Sequence, residues 1–198
     1  AWTPRGSLVF AAVPGAFSVR AATGRAYKAP NLQDHYPSNP FIESNPDLEP
    51  ETSTSWEVGA DARLLEGTLA AGVTFFRQKY DNLIRTVPSD NDPSKQINRN
   101  LGESRAMGIE WTLAYNPAAH WTVGTEGAWV RTEVLENTGL PEDAFPEGEQ
   151  LPFRPDIVGS AYVETARGSL TLHARATFVG TQTVLTERFS GPREEIEG

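Results

Sequence analysis

Met107, Ile109, Trp111, Leu113 and Tyr115 alternate without a break with Gly108, Glu110, Thr112 and Ala114. A period of two sends successive side chains to opposite faces of a pleated strand, so this segment carries one apolar face and one small or polar face. The pattern recurs along the chain. Trp56, Val58, Ala60, Ala62 and Leu64 alternate with Ser55, Glu57, Gly59, Asp61 and Arg63, and Leu170, Leu172, Ala174, Ala176 and Phe178 alternate with Ser169, Thr171, His173, Arg175 and Thr177. Leu69, Ala71, Val73 and Phe75 line one face of a further segment. Helical periodicity is found nowhere, so the expected class is all-β, with no helix.

Turn chemistry divides these segments unevenly. Pro14-Gly15-Ala16, Leu65-Glu66-Gly67, Asn116 to His120 and Ala166-Arg167-Gly168 are tight turns. Between them lie wide connections: Gly24 to Thr52 with its many prolines, Val87 to Lys95 with Pro88-Ser89-Asp90-Asn91-Asp92-Pro93, and the acidic stretch Glu136 to Gln150. The expected strands are Ser7 to Val13, Phe17 to Thr23, Ser53 to Leu64, Thr68 to Thr86, a strand through Met107 to Tyr115, Trp121 to Leu135, Pro155 to Thr165 and Ser169 to Phe178. About eight antiparallel strands result, many longer than the five or six residues usual in globular sheets. All loops at one end are short and all at the other are long. A transmembrane up-and-down β-barrel has that asymmetry.

Composition is consistent with this and removes other classes. With 38% hydrophobic residues over 198 positions, the chain has no apolar run of about eighteen residues that could make a membrane helix, but barrel strands need only every second residue apolar. The formal charge of -9, from 26 acidic against 17 basic side chains, argues against nucleic acid as a partner. Without cysteine there is no disulfide framework, thiolate metal site or cysteine nucleophile. His35, His120 and His173 lack ligand spacing, and no hydrolase, zinc-protease or phosphate-loop motif is present. No catalytic residue, metal site or cofactor is expected, and Asp90-Asn91-Asp92 reads as a solvated turn, not a calcium loop.

Aromatic residues give a second test of the barrel, whose outer wall carries two girdles about 25 Å apart. Phe17, Tyr115 and Trp121 lie at the tight turns, and Trp56, Phe75, Trp129 and Phe178 lie roughly eight to ten residues further along their strands, on the order of 20 to 25 Å. Trp111 falls between the two sets. A soluble carbohydrate-binding β-sandwich would use the same alternation for its core face, and a plain porin or adhesin barrel would share every feature so far.

Ordered motifs separate these readings. Gly24-Arg25-Ala26-Tyr27-Lys28-Ala29-Pro30-Asn31-Leu32, then Asn45-Pro46-Asp47-Leu48-Glu49-Pro50-Glu51-Thr52-Ser53, then Asn100 followed by Gly108-Ile109-Glu110, then Leu151-Pro152-Phe153-Arg154-Pro155 occur in this order. The set resembles the C-terminal barrel half of TonB-dependent outer-membrane receptors, with Lys28 and Glu49 where the family more often has arginine and lysine. The family barrel has 22 strands with a plugged lumen. Residues 1–198 are therefore expected to be a partial barrel domain, with the plug domain and final strands absent.

The resemblance implies the bacterial outer membrane, energy-coupled uptake of a scarce solute such as a siderophore-iron complex or cobalamin, and, through the missing plug, a TonB energy-coupling complex as partner alongside the outer-membrane lipid and the small solute ligand. It also implies roles for particular residues. Arg20, Glu57, Asp61, Arg63, Glu110, Glu126, His173 and Arg175 would face the lumen and the plug, since charge is expensive on a lipid face. Tyr36 and Phe41, in the first wide loop, are candidate ligand contacts.

Overall fold

The computed structural model describes residues 2–92, 94–138, 140–142, 144–185 and 193–196. Its strands are β1 (Arg5–Val13), β2 (Phe17–Lys28), β3 (Ile42–Glu43), β4 (Glu51–Leu64), β5 (Leu69–Pro88), β6 (Gln96–Ala118), β7 (Trp121–Glu136), β8 (Ile157–Arg167), β9 (Leu170–Val179), β10 (Gln182–Leu185) and β11 (Arg193–Ile196). One sheet runs β1-β2-β4-β5-β6-β7-β8-β9, each strand antiparallel to its neighbours. The short β3 adds in parallel to the start of β6, and β10 pairs with β11 separately. The sheet is an open wall: among the described residues β1 and β9 each pair on one side only.

Several strands run further than the turn signals indicated. β5 continues to Pro88 and β6 begins at Gln96, because the two zip together to Pro88↔Gln96 with only Asn82, at φ 58°, interrupting the ladder. Helix is also present, against expectation. Leu32–His35 forms one helical turn, α1, capped by Asn31, whose side chain accepts from the Asp34 N–H while the Asp34 carboxylate accepts from the Asn31 N–H. A single turn held by a capping box needs no apolar periodicity, so periodicity could not reveal it. Leu65–Gly67 is a 3-10 turn with Leu65, Glu66 and Gly67 all at positive φ.

Cross-strand register turns the sequence alternation into two continuous faces. On one, Val58, Phe75, Ile109, Trp129 and Ile157 stand side by side, flanked by rows such as Ala60, Val73 and Trp111. These side chains have no covering layer: Val58, Val73, Ile109, Trp129 and Leu172 are all exposed. Trp111 belongs to this face; it lies across Gly127, where a Cβ would sit 2.4 Å from the indole, and its Nε1–H donates to Thr125 Oγ1 at 3.4 Å. Glycine leaves room for the ring, which explains an aromatic between the two girdles.

The buried apolar core lies elsewhere. Val87, Leu101, Val134, Leu140, Ala144, Phe145 and Leu151 form it, with Leu83 and Ile97 packed alongside. It unites the far ends of β5, β6 and β7 with the connection after β7, which returns along the β7 edge through Val134 N–H to Glu149 C=O and Gly148 N–H to Val134 C=O. A wall without its own core therefore carries a folded cap at the long-loop end.

Candidate functional site

The polar face of the wall curls around a hollow of about 500 Å³, lined by residues from β1 to β8 that include Ser18, Asp61, Arg63, Thr112, Glu126 and Tyr162. Arg20, Glu57, Asp61, Arg63, Glu110, Glu126, His173 and Arg175 all project from this one side of the pleat, as their register positions require. Two charge groups form across strands. Arg20 on β2 pairs with Asp61 on β4 and donates to Thr74 Oγ1 on β5 at 2.5 Å, lying over Gly59, where a Cβ would meet its guanidinium carbon at 2.9 Å. Arg175 on β9 donates to Glu126 Oε1 at 2.6 Å and to Ser160 Oγ at 2.8 Å, and its guanidinium stands 5.2 Å above the Tyr162 ring. His173 extends the second group, with its ring stacked on Tyr162 at 6.3 Å and its Nδ1 3.6 Å from Glu164. Glu57, Arg63 and Glu110 join neither group. Thr74, Ser160 and Tyr162 are members that alternation alone did not single out.

Above this face the first wide loop is tied down by asparagines. The Asn100 Nδ2 donates to the carbonyls of Glu49 and Asn82 at 2.9 and 2.8 Å, and its Oδ1 accepts the Glu49 N–H at 2.8 Å. Asn45 Nδ2 donates to Asn98 C=O at 2.8 Å, while Asn98 Nδ2 donates to Asp34 C=O at 3.0 Å. His35 Nδ1 lies 3.0 Å from Asn45 C=O, and Ser89 Oγ donates to Glu43 Oε2 at 2.6 Å. A side-chain amide offers a donor and an acceptor with the spacing of a peptide group, so asparagine can take the place of a missing strand partner. The Asn-Pro-Asp-Leu motif thus has a mechanical role: it brings the β2–β4 connection over β5 to β6.

Tyr36 and Phe41 lie on this loop and both are exposed; the Tyr36 ring contacts that of His35 at 6.1 Å, and the Phe41 backbone accepts the Gln96 N–H. They are not brought against the charged groups of the wall. Between cap and wall sits a cationic spot. Arg85 is half-buried, and burial together with the nearby Arg154 holds its guanidinium below the ordinary arginine range, while burial raises the neighbouring Tyr80. Neither guanidinium makes a hydrogen bond or ion pair of its own among the described residues; Glu51, within electrostatic reach of Arg85, is already held by Lys28 at 2.8 Å and by the Ile84 N–H. The turn at Asp90 to Asp92 is internally satisfied through Arg99, Ser94 and Lys95, and no metal-ligating cluster occurs among the described residues.

Comparison with known proteins agrees with this architecture. The 26% identity to the TonB-dependent receptor SusC of Bacteroides thetaiotaomicron extends over 101 residues, 48% of this chain and 10% of that protein. The vitamin B12 transporter BtuB of Vibrio cholerae is 31% identical over 99 residues, 50% of this chain and 15% of its own length. This chain therefore spans only a small part of these relatives. Among solved structures, the ferric enterobactin receptor PfeA of Pseudomonas aeruginosa superposes over 100% of this chain and 31% of its own with a TM-score of 0.73 at 21% identity. The ferric citrate transporter FecA superposes over 99% of this chain and 29% of its own with a TM-score of 0.69 at 19% identity. The family described as TonB dependent receptor-like, beta-barrel, matches residues 1–192, and the chain belongs to that family of TonB-dependent receptor β-barrels.

Proposed function

We propose that residues 1–198 form one section of the wall of a larger outer-membrane barrel that imports a scarce solute under TonB-dependent energy coupling. The two-sided wall carries this reading. Its apolar side has no protein layer over it, which in water would be a liability far larger than the patches soluble monomers tolerate, and which lipid satisfies. Its other side holds Arg20–Asp61 and Arg175–Glu126, whose carboxylates Asp61 and Glu126 line a hollow suited to a polar plug or solute. A soluble sandwich would need a second sheet over the apolar face, whereas Val58, Val73, Ile109, Trp129 and Leu172 are exposed and the one other sheet among the described residues is the short β10–β11 pair.

The loop end receives the solute, with Tyr36 and Phe41 as rim contacts. Arg85, Arg154 and Tyr80 favour a solute carrying carboxylate or other anionic groups, such as an iron chelate, over a neutral glycan, because two neighbouring cations lacking their own carboxylates gain most from an anionic guest. Uptake of labelled iron chelates, cobalamins and glycans by cells producing the full-length receptor tests this, with and without a working energy-coupling complex. Expected is coupling-dependent uptake of an anionic chelate, weakened by Arg85→Leu. Uptake that persists without coupling would identify a passive pore and overturn the proposal.

A further inference from the structure

The apolar face of the wall ends in an ordered way at the loop side, and the ending is cationic. On β5, Phe75 is followed two residues on by Arg77; on β7, Trp129 is followed by Arg131; on β2, Thr23, which pairs with Trp56, is followed by Arg25. Each arginine is thus one position further along the same face than the aromatic row. That row itself drifts across the register, since Trp56 stands opposite Arg77 while Trp129 shares a row with Phe75, as a girdle at constant height does when strands are tilted. The arginines follow the same drift.

Their surroundings separate them from the other charges nearby. All three are exposed, and none of their guanidiniums makes a hydrogen bond or ion pair among the described residues. One position further out than Arg77 and Arg131, in the row of Arg25, Lys79 bonds Glu103 at 2.5 Å and lies 3.4 Å from Asp81, while Arg105 pairs with Glu133. Acidic partners therefore begin only beyond Arg77 and Arg131, in a chain with an acid excess of 26 to 17. Unpaired guanidiniums directly above an aromatic row, with aliphatic stems lying along an apolar face, have the chemistry of a phosphate contact at a membrane interface.

We infer that Arg25, Arg77 and Arg131 form a binding belt for the anionic phosphate groups of lipid headgroups in the leaflet at the long-loop end. This inference rests on the barrel reading above. A phosphate seated on the belt bridges β5 and β7 from outside, across the Met107 position between them, and fixes the depth of the wall in the bilayer.

The full-length receptor, released in neutral detergent, is titrated with phosphatidylglycerol and with phosphatidylcholine, and bound lipid is counted by native mass spectrometry. Preferential retention of phosphatidylglycerol is expected, weakened roughly fivefold by each of Arg25→Gln, Arg77→Gln and Arg131→Gln and on the order of a hundredfold by the triple variant. Heat-modifiable migration of each variant shows that the barrel is assembled. Should the triple variant fail to assemble, the three single variants carry the test. Equal retention of both lipids, or unchanged retention in the assembled variants, overturns the belt while leaving the barrel intact. Displacement of the lipid by millimolar inorganic phosphate would also overturn it, by identifying a soluble anion as the ligand. A receptor that needs no detergent contradicts the barrel itself, a distinct result.

Discussion

Val73, Ile109 and Val123 leave 40 to 48% of their surface uncovered, whereas Val87, Leu101 and Val134, further along the same strands β5, β6 and β7, leave none. The ladders run on from one region toward the other but break at the border, at Asn82 between β5 and β6 and by a register shift at Glu103/Ser104 between β6 and β7, and the period of two along β7 places Val134 on the face opposite Val123. What differs is the source of the second layer. Along the wall the structure supplies none, and the uncovered face is bordered toward the long loops by the exposed aromatics Trp56, Phe75 and Trp129. Beyond the aromatic row the chain provides its own, folding Leu140, Ala144, Phe145 and Leu151 onto the strand ends. On the proposed reading one sheet meets two solvents, and the change of solvent falls where Trp56, Phe75 and Trp129 give way to Arg77 and Arg131.

Substitutions on either side of that border sharpen the contrast. Leu101→Ala removes a fully buried side chain from the cap and should cost about 3 kcal/mol. The loss should appear as faster amide exchange at 140–151 while the wall still migrates as a folded barrel. Val73→Arg, midway along the apolar face, should cost about 2 to 3 kcal/mol in bilayers by denaturant titration, whereas Thr54→Arg, beyond the aromatic Trp56, should be close to neutral. Equal effects at the two sites would abolish the border.

Smaller effects are expected at the clamp. Asn100→Ala leaves the Glu49 N–H and C=O without their partner amide and should cost about 2 kcal/mol, seen as faster exchange over 45–50 with the Leu101 region unchanged. The smallest concerns Lys28, whose hydrogen bond to Glu51 raises its pKa. A raised amine pKa stabilises the folded state below the ordinary lysine range, and the gain is lost as pH rises through the raised value. The denaturant midpoint should therefore slip slightly at high pH in the parent protein and not in Lys28→Met.

The wall was legible in the sequence because a period of two is local: each of Met107, Ile109, Trp111, Leu113 and Tyr115 announces its face through its neighbours. The cap was not. Its core joins Val87 to Phe145, and its clamp joins Asn45 to Asn98 and Glu49 to Asn100, contacts some fifty residues apart with no repeating pattern between them. The Asn-Pro-Asp-Leu motif marked the family without disclosing that its asparagine reaches a strand two places along the sheet. The same limit applies to the candidate site. Arg20 with Asp61 and Arg175 with Glu126 were each assigned to one face by alternation, but only register brings them into contact and adds Thr74, Ser160 and Tyr162. Arg77 and Arg131 show their place only when the pleat is followed from Phe75 and Trp129 across the register.

Side-by-side positions on β6 provide the most direct test that one face meets lipid and the other does not. Single cysteines placed at 109 to 114 of the full-length receptor, in a stretch that has none of its own, are probed in bilayers with a water-soluble maleimide and with a quencher carried on lipid acyl chains. Positions 109, 111 and 113 should be quenched by lipid and spared by the maleimide, with 110, 112 and 114 showing the reverse. Labelling without this alternation, or water access to both faces, would contradict the two-solvent wall.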